Sequence, residues 1–504
     1  MATSSFVGRR FHACRLLLSV TTVLAGGVAM PALAQLVTPA PIRQSVDGNG
    51  VDLFLGTVNV DGPKLTLGQE DPQGLTYYQL TRGNGWTDNT VASLILNSNV
   101  ITVSLGGVSD GFYNSTSGSY LPTQGNGAKL TFNSGTNVYT YTRADGTVIH
   151  FDKNRASPAP YQAGEGRVTD ITRPSGAKLT FTYTSGQYCS KSKPGSDGDI
   201  CIQIATAYRI ATVRSNYGYQ LAFNYSTDTL DDTTELDYSV VAAWSTVSGV
   251  TASNLAAASN ASKPTQTIGS AYENGAAYFV VTDALGRATK YRTGAMPVLG
   301  ITLPGSGSED VTFAFDGSGK VSGVTTPAGT TTYSFSDANG IRTTNVTDAA
   351  SNRTTYTFDI ASQRMKAIVD AVGNATNDPD HHKTSLDYDS VGRVIRITQP
   401  EGNYTQLTYQ SSDRDNVTET RVVSKTPGTP PDIVTTATFP ATCDNPVTCN
   451  KPITTTDARG AVTSYTYDPT HGGVTSVTQP APSAGAVRWK IGRASCRERV
   501  YSGV

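Results

Sequence analysis

The densest group of metal-capable side chains in the chain is His381-His382, flanked by Asp378 and Asp380. Two imidazoles and two carboxylates could hold a divalent cation. Neighbouring residues on a strand point to opposite faces, however, so the two histidines could chelate together only in a loop. A solvated loop is the expectation there, with no bound metal. His150 and His471 stand alone. No phosphate-binding loop and no His-Glu-x-x-His word is present. The many aspartates tend to fall at one fixed place in a recurring pattern, which suits turn formers better than paired acid/base carboxylates. The sequence therefore predicts no catalytic residue, no cofactor and no enzyme.

Cysteine supplies the other possible chemistry. Apart from Cys14 and Cys496 there are four: Cys189 with Cys201, and Cys443 with Cys449. Each pair flanks a short polar stretch, and two local disulfides in an oxidising compartment is the leading reading. A zinc site is the sharper alternative. It is weakened because neither spacing is Cys-x-x-Cys and no histidine lies nearby.

These groups sit in a chain dominated by one word. Tyr388–Tyr409 reads YDSVGRVIRITQPEGNYTQLTY, and degenerate copies occur at Gly166–Tyr183, Phe315–Asp337, Tyr356–Asp359 and Asp457–Thr478. Phe315 and Phe335 lie 20 residues apart, Tyr388 and Tyr409 21 apart, and such a period marks a repeat architecture. In one unit Asp389 opens a turn and Gly392 closes it, with Arg393 starting a β-rich run. Pro400 and Gly402 make a second turn, and TQLTY returns as a strand. One unit is thus two strands and two tight turns, with no room for a helix. A single hairpin is marginal in water, so many must pair side by side. A generic β-sandwich is the plainer alternative, but it would not repeat a sequence word.

The word resembles the YD repeat of the Rhs family, also found in teneurins and insecticidal toxin complexes. Tyr388-Asp389, Gly392-Arg393, Pro400 to Asn403, Phe358-Asp359, Asp457 to Gly460 and Tyr467-Asp468 carry the likeness, over about residues 130–487. It implies an all-β fold: antiparallel hairpin repeats forming an extended, curled sheet or partial shell. It also implies a container, since Rhs shells enclose a C-terminal polypeptide, commonly a toxin delivered to another cell. Asp71-Pro72-Gln73-Gly74-Leu75 superficially matches the autoproteolysis word of that family, but it lies near the N-terminus and the role is not carried over. The expected partner is a C-terminal cargo domain beyond the present sequence. A cell-surface adhesion protein whose tyrosines bind glycans is the main rival, and a purely structural envelope protein is a further one.

Residues 1–34 combine Arg9, Arg10 and Arg15 with an apolar run, Leu16–Met30, and Ala32-Leu33-Ala34. That is the layout of a secretory signal peptide; the run is short and polar for a membrane anchor, and no stable span is expected after cleavage. Secretion, to the periplasm or the cell surface, follows. Residues 35–130 are expected to be a non-repeat β region capping the first edge of the array, and 131–490 the repeat array. Interruptions are expected at 189–201, 244–268, 374–383 and 411–450, with a short helix possible at Asn254–Ala261. The tail 491–504 breaks the pattern: IGRASCRERV resembles a translated sequencing adapter, which would make the chain an N-terminal fragment, and a genuine basic terminus is the alternative. The full chain carries −1. The leader has three arginines and no acid, and the tail three arginines and one glutamate, so residues 35–490 carry −6. A mildly acidic body gives no electrostatic footprint for nucleic acid.

Overall fold

The computed structural model describes residues 45–492, apart from 70–73, 84, 98, 107, 115–119, 124–126, 156–165, 196–197, 233–237, 259–260, 262, 412–413 and 481–489. The leader, most of the tail and Asp71 to Gln73 lie outside the described residues. What is described is almost entirely antiparallel β: one 32-stranded sheet, a three-stranded sheet and a two-stranded one. The large sheet is curled and not closed into a barrel.

From Lys129–Asn133 to Val474–Thr478 the strands follow chain order, each hydrogen-bonded to the next along the sheet, except that the short Asp231–Asp232 pairs in parallel with Gln187–Tyr188 and Tyr219–Tyr225 passes directly to Val247–Asn254. One turn does most of this joining. In the turns beginning at Arg143, Arg173, Asp283, Asp316, Asp348, Asp389, Gln399 and Asp457, the first amide donates to the fifth residue's carbonyl. The fourth amide donates back to the first carbonyl. This is the three-residue hairpin connection in which a type I turn is followed by a left-handed residue. Glycine fills the left-handed place in seven of the eight, at φ between 77° and 89°. The eighth is Ser351 at φ 66°, a conformation that an L side chain adopts at a cost. Ser351→Gly is therefore expected to raise stability by about 0.5–1 kcal/mol in urea unfolding, whereas an unchanged or lowered midpoint would mean that the serine side chain supports the turn.

The same pairing sets an apolar face along much of the sheet. In register, Leu130, Tyr141, Ile149, Ile171 and Leu179 lie side by side. The row continues through Phe279, Tyr291 and Ile301, then Tyr333 and Val346, then Tyr356 and Ile368. It ends with Leu386 beside Ile397 and Tyr465 beside Val477. The curl brings distant turns together: the Asp415 amide donates to the Ala144 carbonyl, and Asn450 reaches the Asp145 carbonyl 305 positions away.

The region before residue 130 does more than cap the first edge. Its later strands run from Ala92–Asn97, where Ser93 and Leu94 pair with Arg167 and Gly166 on the fourth strand of the array, to Tyr120–Pro122, which lies beside the first array strand, with the Tyr120 ring 6.0 Å from Tyr139. Its earlier part lies as a strap across the apolar face. Leu53, Phe54 and Val58 share a core with Val281, Phe313, Tyr333 and Phe358. Leu65, Leu75 and Tyr77 pack with Phe181, Val213, Leu221 and Val250. An array of hairpins has one wet and one dry side, and the strap supplies the second layer that the dry side requires.

Three expectations about interruptions are corrected. Residues 189–201 form the end of a long paired hairpin, Lys178–Gly195 with Gly198–Ser215. Residues 244–268 are mostly strand: Val247–Asn254 pairs with Tyr219–Tyr225 and with the strand Thr265–Glu273. No helix forms at Asn254–Ala261 among the described residues, because the asparagine ends that strand and Leu255 donates back to Gly218. The helix in this part is Tyr238–Ser245, one connection earlier. A second short helix, Ala371–Thr376, begins the 374–383 interruption and is capped by the Asp370 side chain, so helices do enter the connections.

Candidate functional site

The repeat residues converge on one contact. Tyr409 donates its hydroxyl to the Val394 carbonyl at 2.9 Å, and the Arg393 guanidinium lies 4.2 Å above its ring. The same two features recur at Tyr225, bonded to the Ile210 carbonyl at 2.7 Å under Arg209. They recur again at Tyr467, bonded to Pro452 at 2.9 Å beneath Lys451. Tyr183 bonds Val168 at 2.9 Å, with Arg155 over the ring. Tyr388 bonds Met365 at 2.6 Å, with Arg364 over the ring. In four cases the carbonyl is 15 residues before the tyrosine. In the fifth the spacing is 23, the extra residues being the helical connection after Val369. The insertion leaves the contact intact.

Arginine completes the unit. Arg393 donates to Asp389 through Nε at 2.8 Å and to the Ser411 and Arg414 carbonyls through Nη1, each at 2.6 Å. Arg209 does the equivalent with the Thr227 and Trp244 carbonyls, at 2.6 and 2.7 Å. Asp389 in turn accepts the Val391 and Arg393 amides, and Gly392, at φ 86°, sits in the left-handed region against the Arg364 guanidinium, which a Cβ there would displace. Burial pushes the Tyr388 hydroxyl up to about 12. Burial, with Asp415 adding to it, does the same for Tyr409. These tyrosines are neutral hydrogen-bond donors inside the sheet. The regular cation-to-Tyr spacing of 16 was present in the sequence at 209/225, 393/409 and 451/467.

The other sequence-marked residues stay apart. Phe358 is fully buried beneath the strap, with Phe54 edge-on at 5.7 Å. Asp359 and Asp468 open turns one residue longer than the common one, closing on Arg364 and Gly473. Pro400 and Gly402 form the Gln399–Asn403 turn. Cys189 is bonded to Cys201 and Cys443 to Cys449. His381 contacts Asp378 and His382 contacts Asp370, so the adjacent histidines serve separate carboxylates. His150 pairs with Asp170, and His471 with Asp468. Among the described residues no group of three or more His, Cys, Asp or Glu could hold a metal. No helix among them is long and apolar enough to cross a membrane.

One motif escaped the sequence reading. Residues 107–111 read Gly-Val-Ser-Asp-Gly, the word of a hydrolase nucleophile elbow. That role needs a sharp strand-to-helix turn. Ser109 instead lies within the strand Val108–Asn114, paired with Ser104, and Asp110 bonds Tyr141. The word is ladder here.

The strap leaves part of the apolar face open. Past Phe358 that face is carried by Ile368, Leu386, Ile397, Leu407, Val422 and Val477, all half-buried, with Tyr465 buried among them, while up to Phe358 buried and half-buried members of the face alternate, packed with the strap in two apolar cores. A curled hairpin-repeat sheet with a part-covered dry face is the class of protein that this geometry defines.

No family model matches the chain, and no curated protein is similar to it. Among solved structures, the TcdB2-TccC3-Cdc42 complex aligns at 12% identity with a TM-score of 0.35, over 78% of this chain and 20% of that one. TcdB2-TccC3 aligns at 14% identity and 0.34, over 78% and 23%. The form without its hypervariable C-terminal region aligns at 9% and 0.36, over 84% and 26%. The chain thus spans about a fifth to a quarter of the length of those proteins.

Proposed function

We propose that this chain is part of the wall of an exported Rhs-type shell, which encloses a C-terminal polypeptide and works by exclusion, without catalysis. The observation that carries the reading is the dry face itself. It runs through most of the sheet, interrupted at places such as Ser215, Thr384 and Thr405, the chain's own strap covers only the earlier part, and the mostly half-buried row from Ile368 to Val477 needs a further apolar layer. The strap is a precedent within the same chain, an extended segment lying on that face. The repeat tyrosines favour a wall over a glycan-binding surface, because their hydroxyls are spent on backbone carbonyls and their rings on cations. Export rests on the residue pattern of 1–34 and on the four cysteines.

The test is limited proteolysis of the full-length natural chain. A polypeptide following the repeats is expected to be cut at least tenfold more slowly in the folded protein than when expressed alone. Equal cleavage rates would overturn the enclosure reading. Tight binding of the repeat region to one glycan class, with no such protection, would support adhesion instead.

A further inference from the structure

Where the curl closes, the turn Arg143–Thr147 meets the start of the strand Arg414–Val423 and the loop that ends at Asn450. The loop is drawn into place by Arg414, which donates to the Pro440 carbonyl at 2.8 Å, to Asn450 Oδ1 at 3.0 Å and to the Cys449 carbonyl. The Cys443–Cys449 disulfide staples the same loop. At the centre lies Asp415, its side chain 12% exposed. Its amide holds the seam through the Ala144 carbonyl at 3.1 Å. Its Oδ1 has no hydrogen-bond partner and stands 4.0 Å from Arg393 Nη1, a guanidinium already bonded to Asp389 and to two carbonyls.

We propose that this seam is a proton-gated latch, which holds the curled sheet shut in acid and loosens as the pH rises towards neutrality. The groups facing Asp415 are Arg143 and Asp145 on the turn, Asp389 and Arg393 on the neighbouring turn, the Tyr409 hydroxyl, and Arg414 on its own strand. In the loop, Asp444 accepts from Thr442 and Lys451 lies over Tyr467. Burial raises the Asp415 carboxyl to about 6. Arg393 and Arg143 oppose the rise, and Asp145 and Asp389 reinforce it. The closed seam therefore binds a proton that the open, solvated seam releases near the ordinary value of 3.8. Stability of the closed form falls as pH rises between those two values, and is level above about 6. The latch belongs to the curl and does not depend on anything lying inside it.

Amide exchange of Asp415, measured on the whole chain from pH 4 to 7.5 and corrected for intrinsic rates, tests this. The opening constant is expected to rise by up to about 10²-fold across that range, while amides of the turn Asp316–Lys320, remote from the seam, stay level. Asp415→Asn should remove the pH dependence and keep the acid level of protection. A flat profile in the native chain, or a slope that persists in the variant, would overturn the proposal. Should the variant not fold, carboxyl-carbon titration of Asp415 in the native chain decides: a midpoint near 6 upholds the latch and one near 4 overturns it.

Discussion

Arg393→Ala is expected to destabilise the protein by about 3–5 kcal/mol, while Arg459→Ala changes stability by less than about 0.5 kcal/mol. Both arginines belong to the same Asp-x-x-Gly neighbourhood, Arg393 as the residue after the glycine and Arg459 as the one before it. Their surroundings differ completely. Arg393 is 5% exposed and satisfies Asp389, two backbone carbonyls and the face of Tyr409 at once. Removing it strands a carboxylate and two carbonyls in a water-poor place and empties the volume beside a ring. The Arg459 side chain is 90% exposed and contacts only Asp457, which makes it an ordinary surface pair. Equilibrium urea unfolding of the two variants checks the contrast. Equal, small effects would mean that the arginine serves solubility and that the repeat is held by its strands alone.

The second large effect lies in the strap. Phe54→Ala is expected to cost about 3–4 kcal/mol, against a negligible change for Leu55→Ala. Phe54 is buried, edge-on to Phe358 and beneath the Arg342 guanidinium at 4.7 Å. Leu55 next to it is 47% exposed. Truncating the ring loses its burial and leaves a cavity that the rigid sheet cannot close. The strap is also pinned by polar contacts: Arg342 donates to the Phe54 carbonyl at 2.7 Å, Thr344 to Leu53 at 2.6 Å, and Tyr333 to Asp47 at 2.5 Å. Phe54→Ala should therefore raise amide exchange selectively in the strands Gly329–Ala338, Ile341–Thr347 and Arg353–Asp359. A uniform change across the sheet would contradict a strap that acts locally.

The turns were legible in the sequence because their chemistry is local. Asp389, Gly392, Pro400 and Gly402 each act within five residues, and the hairpin order follows from repeating them. The long-range contacts were not legible by that route. Nothing near Leu53 or Phe54 announces partners some 290 positions away, so only an edge cap was inferred where a face cover exists as well. The Ala-rich stretch after Asn254 suggested a helix from propensity, but the paired strand that ends at Asn254 and the Leu255 amide bond back to Gly218 set the chain into a turn there. The arginine–tyrosine unit falls between these cases. Its spacing of 16 was readable, but the alternation around Arg393 said only that the side chain left the strand, not that it reached carbonyls 18 and 21 residues on.

The central claim is that the face left open by the strap is covered by further polypeptide. The most direct measurement is a single-particle reconstruction of the full-length natural chain. The account predicts ordered or partly ordered polypeptide density against Leu386, Ile397 and Leu407, inside the curl. A reconstruction in which that face is bare to solvent, with the C-terminal polypeptide tethered outside, would contradict it.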